Sequence, residues 1–564
     1  MVFIDKESAK SLHIPEIMEM IKPFSEVGKR LKSSVKPYSP GKEDELRAEY
    51  QKVRALMHII KSNKEFTLTL SSSLAKIDNI RQTFIRASST NALELTEIYE
   101  IKNFIYFYEK IRFYMEKHKL DNIVRLIPFK ELFSYLDPEE QKIPTFHISS
   151  KYSDNLSALR IKHYEINNKI NYLEQKGLEQ AKNELELHTI ERQIVVSRQN
   201  KKLLQRLESS QWFTVSEENF ANVTFVFRPS EEIMKLEKEL NNLRHKIEEE
   251  EIKVRAIITA QIAEKSIELI TALNEVAKLD YLIAKAIFGC EIDGTIPSIN
   301  RIRETTDKSR RSTKSPQVII TLNKVVNLFI KKQLDLQKLQ YQPLDINFTE
   351  RINIITGANM AGKSTVLQTI GQVFYLSAFA IPLPCQKAHL PLVDFVFFSS
   401  DTESSIRTDL SSFASELIAI NAAVKQPGIG LFLIDEFARG TNPQEGESFA
   451  RAILEIFIDK RGIAVSATHF TTPSYISEAA HFRIIGLTKN DYEKLKKTLS
   501  PYDPTKKDDL KNRIQELHKY MNYQLEPVEA SNIPPRAALM IAEILGIDED
   551  IIQKAKSYIK GKHH

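Results

Sequence analysis

Gly357 and Gly362 enclose four residues, Ala358, Asn359, Met360 and Ala361, and are followed directly by Lys363, Ser364 and Thr365. The short apolar run Ile352-Asn353-Ile354-Ile355 precedes them and a helical pattern follows, which is the setting of a phosphate-binding loop. The two glycines let the backbone wrap close to a triphosphate, whose charge meets amide N–H groups at the start of the next helix. In that arrangement Lys363 reaches the β- and γ-phosphates and Ser364 holds Mg²⁺. A second apolar run, Gly430 to Ile434, ends in Asp435 and Glu436, 72 residues after Lys363 in the case of Asp435. Asp435 at a strand end suits Mg²⁺, and Glu436 suits the orientation or deprotonation of a water that attacks the γ-phosphate. A third run, Ile463 to Ala467, ends in Thr468 and His469, where a polar side chain can sense the γ-phosphate or simply cap the strand. Between the first two motifs, Ser411 and Ser412 stand just before an apolar helix with Ser415 and Glu416. That spacing reads either as an N-cap with its capping box or as an anion site offered from a second subunit.

These residues need a scaffold of alternating strands and helices, and from Val318 onward short apolar runs do alternate with helical patterns, as in an α/β domain with a largely parallel sheet. The 564 residues predict several domains. Lys and Arg number 79 against 74 Asp and Glu, so the net charge of +5 does not announce a nucleic-acid partner. Cys290 and Cys385 match no metal-ligand spacing and suit a reducing compartment. The amino terminus lacks a signal-peptide core, and no run of about 18 apolar residues occurs, so the expectation is a cytoplasmic protein with no membrane partner.

Upstream of the α/β part the periodicity is helical. Ile14, Ile17, Met18 and Ile21, then Leu46 through Leu56 and Ile59, recur at three and four, with Pro37, Pro40 and Gly41 between the groups. An aromatic helix contains Phe107-Tyr108-Glu109. A long, thin helix is predicted from about Leu156 to Leu207 on Ile166, Ile170 and Leu173. A short β element over Trp212 to Arg228 follows, with Val223, Phe225 and Phe227 alternating. Ile233, Leu236, Leu240, Leu243 and Ile247 then form a heptad seam on a returning antiparallel helix. Such a hairpin is either a spacer or dimerisation coil, or an arm that grips a partner. Arg301, Arg303, Lys308, Arg310, Arg311 and Lys314 lie in a loop that is either solvated or in contact with phosphates.

Together these motifs resemble the MutS family of ABC-type ATPases. Thr356 to Thr365 is close to the family's TGPNMGGKST, Ser411 to Glu416 to STFxxE, Asp435 to Thr441 to DEIGRGT, and Ala467-Thr468-His469-Phe470 to ATHY/F. More loosely, Gly28 to Leu31 and Leu279-Asp280 with Ala284 resemble the two ends of the lever domain, and Ile541 to Lys556 the C-terminal helix-turn-helix. The resemblance implies an all-α lever domain over 1–155 and 266–316, a coiled-coil clamp arm with a β tip over 156–265, an ABC-type ATPase domain over 317–520 and a dimerising helix-turn-helix over 521–564. It implies a homodimer or heterodimer with composite ATP sites, Ser411 or Ser412 acting across the dimer, Arg439, Gly440 and Thr441 as the D-loop, and His469 as a switch.

Departures from the family pattern shape the functional expectation. In the family the mismatch-reading and connector domains precede the levers, whereas here lever-like sequence begins almost at Met1 and four residues follow Lys560, so the expectation is a member without those domains and without an Smr nuclease domain. The Phe-x-Glu of Phe107 to Glu109 lies within a helical run rather than on a reader loop. The family's Arg-His-Pro, which contacts adenine, has no counterpart around Leu328 to Gln333. Between Ile161 and Ile270 there are 17 basic and 19 acidic residues, a poor surface for gripping phosphates. Two functions therefore compete: an ATP-driven clamp that holds DNA without reading mismatches, and a remodelling factor for a protein client, such as the MutS-related factors that reactivate cobalamin-dependent aminomutases.

Overall fold

The computed structural model describes residues 2–301, 320–357, 362–399, 412–437, 442–459, 462–470, 476–499, 509–528 and 537–561. The fold is mixed, and the chain forms two compact units, Ser73–Val276 and the discontinuous Met1–Ser72 with Ala277–His564.

In the unit Ser73–Val276 the helix Leu95–Lys117 buries Ile98, Ile101, Ile105, Tyr108, Ile111 and Met115, an i, i+3, i+4 stripe. Glu94 and Glu97 cap its start, the Glu94 N–H donating to Glu97 Oε2 at 2.8 Å. Tyr108 is fully buried with its hydroxyl on the Ile127 carbonyl at 2.8 Å, and Glu109 accepts from the Phe129 amide and pairs with Arg112. Phe107-Tyr108-Glu109 is thus part of a packed helix.

Two longer helices follow, Asp154–Glu184 and Glu231–Glu264, each opened by a serine whose hydroxyl accepts a backbone N–H of the first turn, Ser153 from Leu156 and Ser230 from Ile233. Their ion pairs run in opposite directions along the two chains, Arg160 to Glu251 at 2.7 Å, Lys162 to Glu239 at 2.7 Å and Lys169 to Glu232 at 2.9 Å, so the helices are antiparallel. Ile166, Ile170, Ile233, Leu240 and Leu243 are buried in one cluster with the β residues beyond. The expected single helix to Leu207 is corrected here. The helix stops at Glu184, Glu186 takes a left-handed φ of 44°, and the chain enters strand β1 (Gln193–Ser197) before the short helix Lys201–Glu208. Ile194, Val195 and Val196 are β-branched and disfavour helix, which the sparse apolar spacing did not reveal. With β2 (Phe213–Glu218) and β3 (Asn222–Phe227), β1 forms an antiparallel sheet in the order β1-β3-β2.

In the other unit a small sheet is built from β4 (Ser298–Asn300), β5 (Ile320–Val325), β6 (Leu344–Phe348) and β8 (Lys387–Pro391). The main sheet contains β7 (Ile352–Thr356), β9 (Phe395–Ser399), β10 (Gly430–Asp435), β11 (Gly462–Ala467), β12 (Ala479–Gly486) and β13 (Asn522–Pro527) in the order β13-β12-β7-β11-β10-β9. The pairs from β12 to β9 are parallel, and β13 adds an antiparallel edge. Both faces are covered. Leu431, Leu433 and Val465 pack with Val366, Ile370 and Val373 of the helix Lys363–Ala378, whereas Phe432, Ile434 and Ala464 pack with Ile420, Leu454 and Phe457 on the other side. This explains why these strands read as continuous apolar runs. The segment expected to begin a helix-turn-helix at 521 starts with β13; the helices Ala537–Ile544 and Glu549–Gly561 come after it.

Residues from both ends of this discontinuous unit meet at Asp280. Its carboxylate accepts from the Phe24 and Ser25 amides at 2.9 and 2.7 Å and from the Ser25 hydroxyl at 2.5 Å, ahead of the helix Glu26–Ser34. Burial raises the Asp280 carboxyl above its ordinary range, against these stabilising donors. A Cβ on Gly28 would lie 2.2 Å from Asp280 Oδ2 and 3.0 Å from Pro23 Cβ. Gly28→Ala is therefore expected to destabilise the unit by about 2–4 kcal/mol through overpacking and disrupted hydrogen bonds. A fall in the urea midpoint tests this, and an unchanged midpoint would contradict it.

Candidate active site

The carboxyl ends of three neighbouring parallel strands converge: β7 delivers Thr356 and Gly357, β11 delivers Thr468 and His469, and β10 delivers Asp435 and Glu436. Backbone bonds tie the ends together, the Thr468 N–H donating to the Ile355 carbonyl at 3.0 Å and the Glu436 N–H to the Ala467 carbonyl at 2.9 Å. Crevices at such strand ends are where open α/β sheets bind ligands.

Lys363 is the first residue of the helix Lys363–Ala378 and is only 4% exposed. Its Nζ donates to the Gly357 carbonyl at 2.9 Å and pairs with Glu436 Oε1 at 2.8 Å. Glu436, 7% exposed, has a left-handed φ of 47°, a conformation uncommon for a residue with a side chain and a recurrent one at functional sites. The chain turns there immediately after β10, and the carboxylate lies against the Lys363 ammonium.

Gly362, the N-cap of that helix, has φ 91° and supplies no side chain to the amides of the first turn. Those amides and the positive end of a 16-residue helix are suited to anionic oxygen. Gly362 also lies close to a ring, since a Cβ there would be 3.0 Å from Tyr523 Cδ1. Gly357 has φ 152°, and a Cβ there would meet Ile484 at 3.5 Å. The glycines thus fit a close-fitting anion cradle with Lys363 at its base.

Ser364 is exposed, Thr365 is half-buried, and Asp435 is the half-buried last residue of β10, in register with Ala467. A hydroxyl and a strand-end carboxylate are oxygen donors of the kind Mg²⁺ takes. His469 is exposed, with its ring 4.4 Å from that of Phe470, and Thr468 is buried, its hydroxyl accepting from the Phe470 amide at 3.0 Å. Ala358, Asn359, Met360, Ala361, Ser411, Arg439, Gly440 and Thr441 lie outside the described residues. Ser412 opens the helix Ser412–Lys425, and four residues on, Glu416 accepts from the Ser399 hydroxyl of β9 at 3.0 Å.

Beside Gly362 and Thr365 lies a cavity of about 480 Å³ that the sequence did not disclose. Its lining includes Ile330, Leu334, Tyr341, His518 and Tyr523. The volume falls within the usual range for small-molecule sites, roughly 300–1,000 Å³. Tyr523 and His518 are hydrogen-bonded, Oη to Nδ1, at 2.7 Å. Burial lowers the His518 imidazole and pushes the Tyr523 phenol up to about 12, so both are neutral at pH 7. The Tyr523 N–H donates to Gln342 Oε1 at 3.0 Å and Gln524 Nε2 donates to the Pro343 carbonyl at 2.6 Å, which fastens the loop bearing Tyr341 to β13. Apolar and aromatic walls next to an anion cradle suit a flat base attached to phosphates. The helix Leu328–Leu336, where the family's Arg-His-Pro has no counterpart, lines this cavity with Ile330 and Leu334.

Residues 353–561 match the family profile of MutS domain V. A protein named Endonuclease MutS2 from Caldanaerobacter subterraneus subsp. tengcongensis is 24% identical over 535 residues, which cover 92% of this chain and 60% of that protein. Another Endonuclease MutS2, from Shouchella clausii, is 23% identical over 499 residues, 86% of this chain and 57% of the relative. The Thermomicrobium roseum Endonuclease MutS2 is 27% identical over 330 residues, 57% of this chain and 37% of the relative. The chain thus spans 60% or less of the length of these three relatives.

Proposed function

We propose that this chain, which belongs to the MutS family, is an ATPase that works as a dimer and uses nucleotide binding and hydrolysis to move arms that hold DNA. The observation that carries the chemical part is the buried contact of Lys363 with Glu436 at the end of β10, beside a glycine-flanked helix N-terminus. The base of ATP would lie between Tyr341 and Tyr523, and its phosphates would meet Lys363 and the first-turn amides of the helix Lys363–Ala378. Lys363 would then exchange the carboxylate for phosphate oxygen. That exchange would free Glu436 to accept a proton from the attacking water. Mg²⁺, held by Ser364 and Asp435, would offset phosphate charge. His469 would sense the γ-phosphate from the end of β11. Ser411 or Ser412 of one subunit, together with its Arg439, Gly440 and Thr441, would complete the site of the other.

The arm in this reading is the antiparallel pair Asp154–Glu184 and Glu231–Glu264 with its β tip. DNA is the preferred load because the relatives are named as endonucleases. Many of the arm's cations are already matched within it: Lys162, Lys169, Arg192, Arg198 and Arg206 each pair with a glutamate. Few cations are then left for phosphates, so binding should be weak on linear duplex and confined to low salt. Gel shifts of duplex, mismatched and branched DNA are expected to show binding at about 50 mM salt that is largely lost by about 200 mM. Failure of every DNA to shift at low salt, with ATP turnover intact, would remove DNA from the proposal and leave the ATPase.

A further inference from the structure

The outer face of the helix Leu95–Lys117 carries a regular pattern that the proposed ATPase and arm do not use. Tyr99, Tyr106 and Phe113 recur every seven residues, and Asn103, Lys110 and Lys117 follow each of them by four. Tyr99 is 42% exposed and Phe113 58%, Lys110 and Lys117 are exposed, and Tyr106 is half-buried. At 1.5 Å per residue the three ring-bearing positions stand about 10.5 Å apart along one stripe. At 3.6 residues per turn, Glu100 and Glu116 fall about 100° to either side of that stripe. Each carboxylate flanking the stripe has an internal partner, Glu100 with the Thr83 hydroxyl and Glu109 and Glu116 with Arg112. Two of the three rings are held in place beforehand. Tyr106 packs edge-on to Phe107 at 5.1 Å and tilted on Phe133 at 6.1 Å, and Phe113 packs edge-on to Tyr114 at 6.0 Å.

We propose that this face docks an acidic amphipathic helix of another protein, with apolar heptad positions seated on Tyr99, Tyr106 and Phe113 and carboxylates opposite Lys110 and Lys117. A seven-residue repeat of anchors has the pitch of a helix's own heptad, so successive anchors meet successive turns of one partner in register. Charge selects the occupant. The stripe itself holds two lysines and no carboxylate, and two copies of it set face to face would bring four lysines together. A nucleic acid fits poorly too, because two cations give a single-strand salt slope of only about −1.4, far below that of a phosphate-tracking groove. Rigid rings lower the ordering cost of association.

The test uses the full chain and two synthetic peptides of about 21 residues, both with Leu at heptad positions a and d, one with Glu and the other with Lys at e and g. Fluorescence anisotropy should show micromolar binding of the Glu peptide and at least tenfold weaker binding of the Lys peptide. Tyr106→Ala with Phe113→Ala should weaken the Glu peptide at least tenfold. Lys110→Glu with Lys117→Glu should reverse the preference, an outcome that misfolding cannot produce. Equal binding of the two peptides, binding of neither, or a preference that survives the charge reversal would overturn the proposal. So would displacement of the peptide by oligo-dT at stoichiometric concentration, which would make this a nucleic-acid face. A smaller oligomer on Phe113→Asp would also overturn it, by making the face a contact between copies.

Discussion

Glu436→Gln is expected to lower the rate of ATP hydrolysis by about 10²- to 10³-fold, the scale of a lost general base, while nucleotide binding persists. The geometry separates the two effects. Glu436 Oε1 accepts from Lys363 Nζ at 2.8 Å, and a glutamine carbonyl can accept the same bond. The turn at φ 47° and the backbone bond to Ala467 do not involve the side chain, so the end of β10 should remain in place. What the amide lacks is basicity and negative charge. Without the competing carboxylate, Lys363 is more available to phosphate, and ATP affinity should hold or rise. Single-turnover phosphate release together with equilibrium binding of a fluorescent ATP analogue reads the two effects apart. Unchanged turnover would remove Glu436 from the chemistry, and a parallel loss of binding would assign it a structural role.

Lys363→Ala should act on the other side of the same pair. Affinity for ATP is expected to fall at least 100-fold, about 2.7 kcal/mol or more, which is within reach of a charge-assisted contact to phosphate at a buried position. The substitution should also destabilise the protein, because it takes the ammonium away from a carboxylate only 7% exposed; removing one partner of a buried pair typically costs about 3–5 kcal/mol. The double variant Lys363→Ala with Glu436→Gln distinguishes these consequences. It removes the buried charge and should recover much of the lost stability, but it should not recover ATP binding. Thermal melts and isothermal titration of the two variants measure both. If the double variant bound ATP as the native chain does, the lysine would have no role in phosphate recognition.

Several features were legible from local pattern because their causes are local. Glycine spacing, a strand before it and a helix after it place Gly357, Gly362 and Lys363 without reference to the remainder of the chain, and the structure has β7 and the helix Lys363–Ala378 in those positions. The apolar runs ending at Asp435 and Ala467 likewise become β10 and β11, because strands covered on both faces need no polar alternation. The seam of Ile233, Leu240 and Leu243 was visible for the same kind of reason. Strand β1 was not, since five residues in a polar surround carry too little period to compete with a neighbouring helical pattern.

The sequence by itself determined which side chains are candidates for nucleotide chemistry and the kind of element each would sit on, since backbone sterics and burial periodicity act over a few residues. Only the tertiary structure decided their encounters. Strand order places β11 between β7 and β10, and this is how the end bearing Gly357 and Lys363 comes next to the end bearing Glu436. The cavity wall pairs Tyr341 with Tyr523 from a distant antiparallel strand, and the amino-terminal segment joins the unit through Leu12, whose carbonyl accepts from Gln372 Nε2 at 3.0 Å. Such contacts follow from how sheets and helices pack to exclude water. That packing is a property of surfaces assembled from distant segments, and no local window of residues contains it.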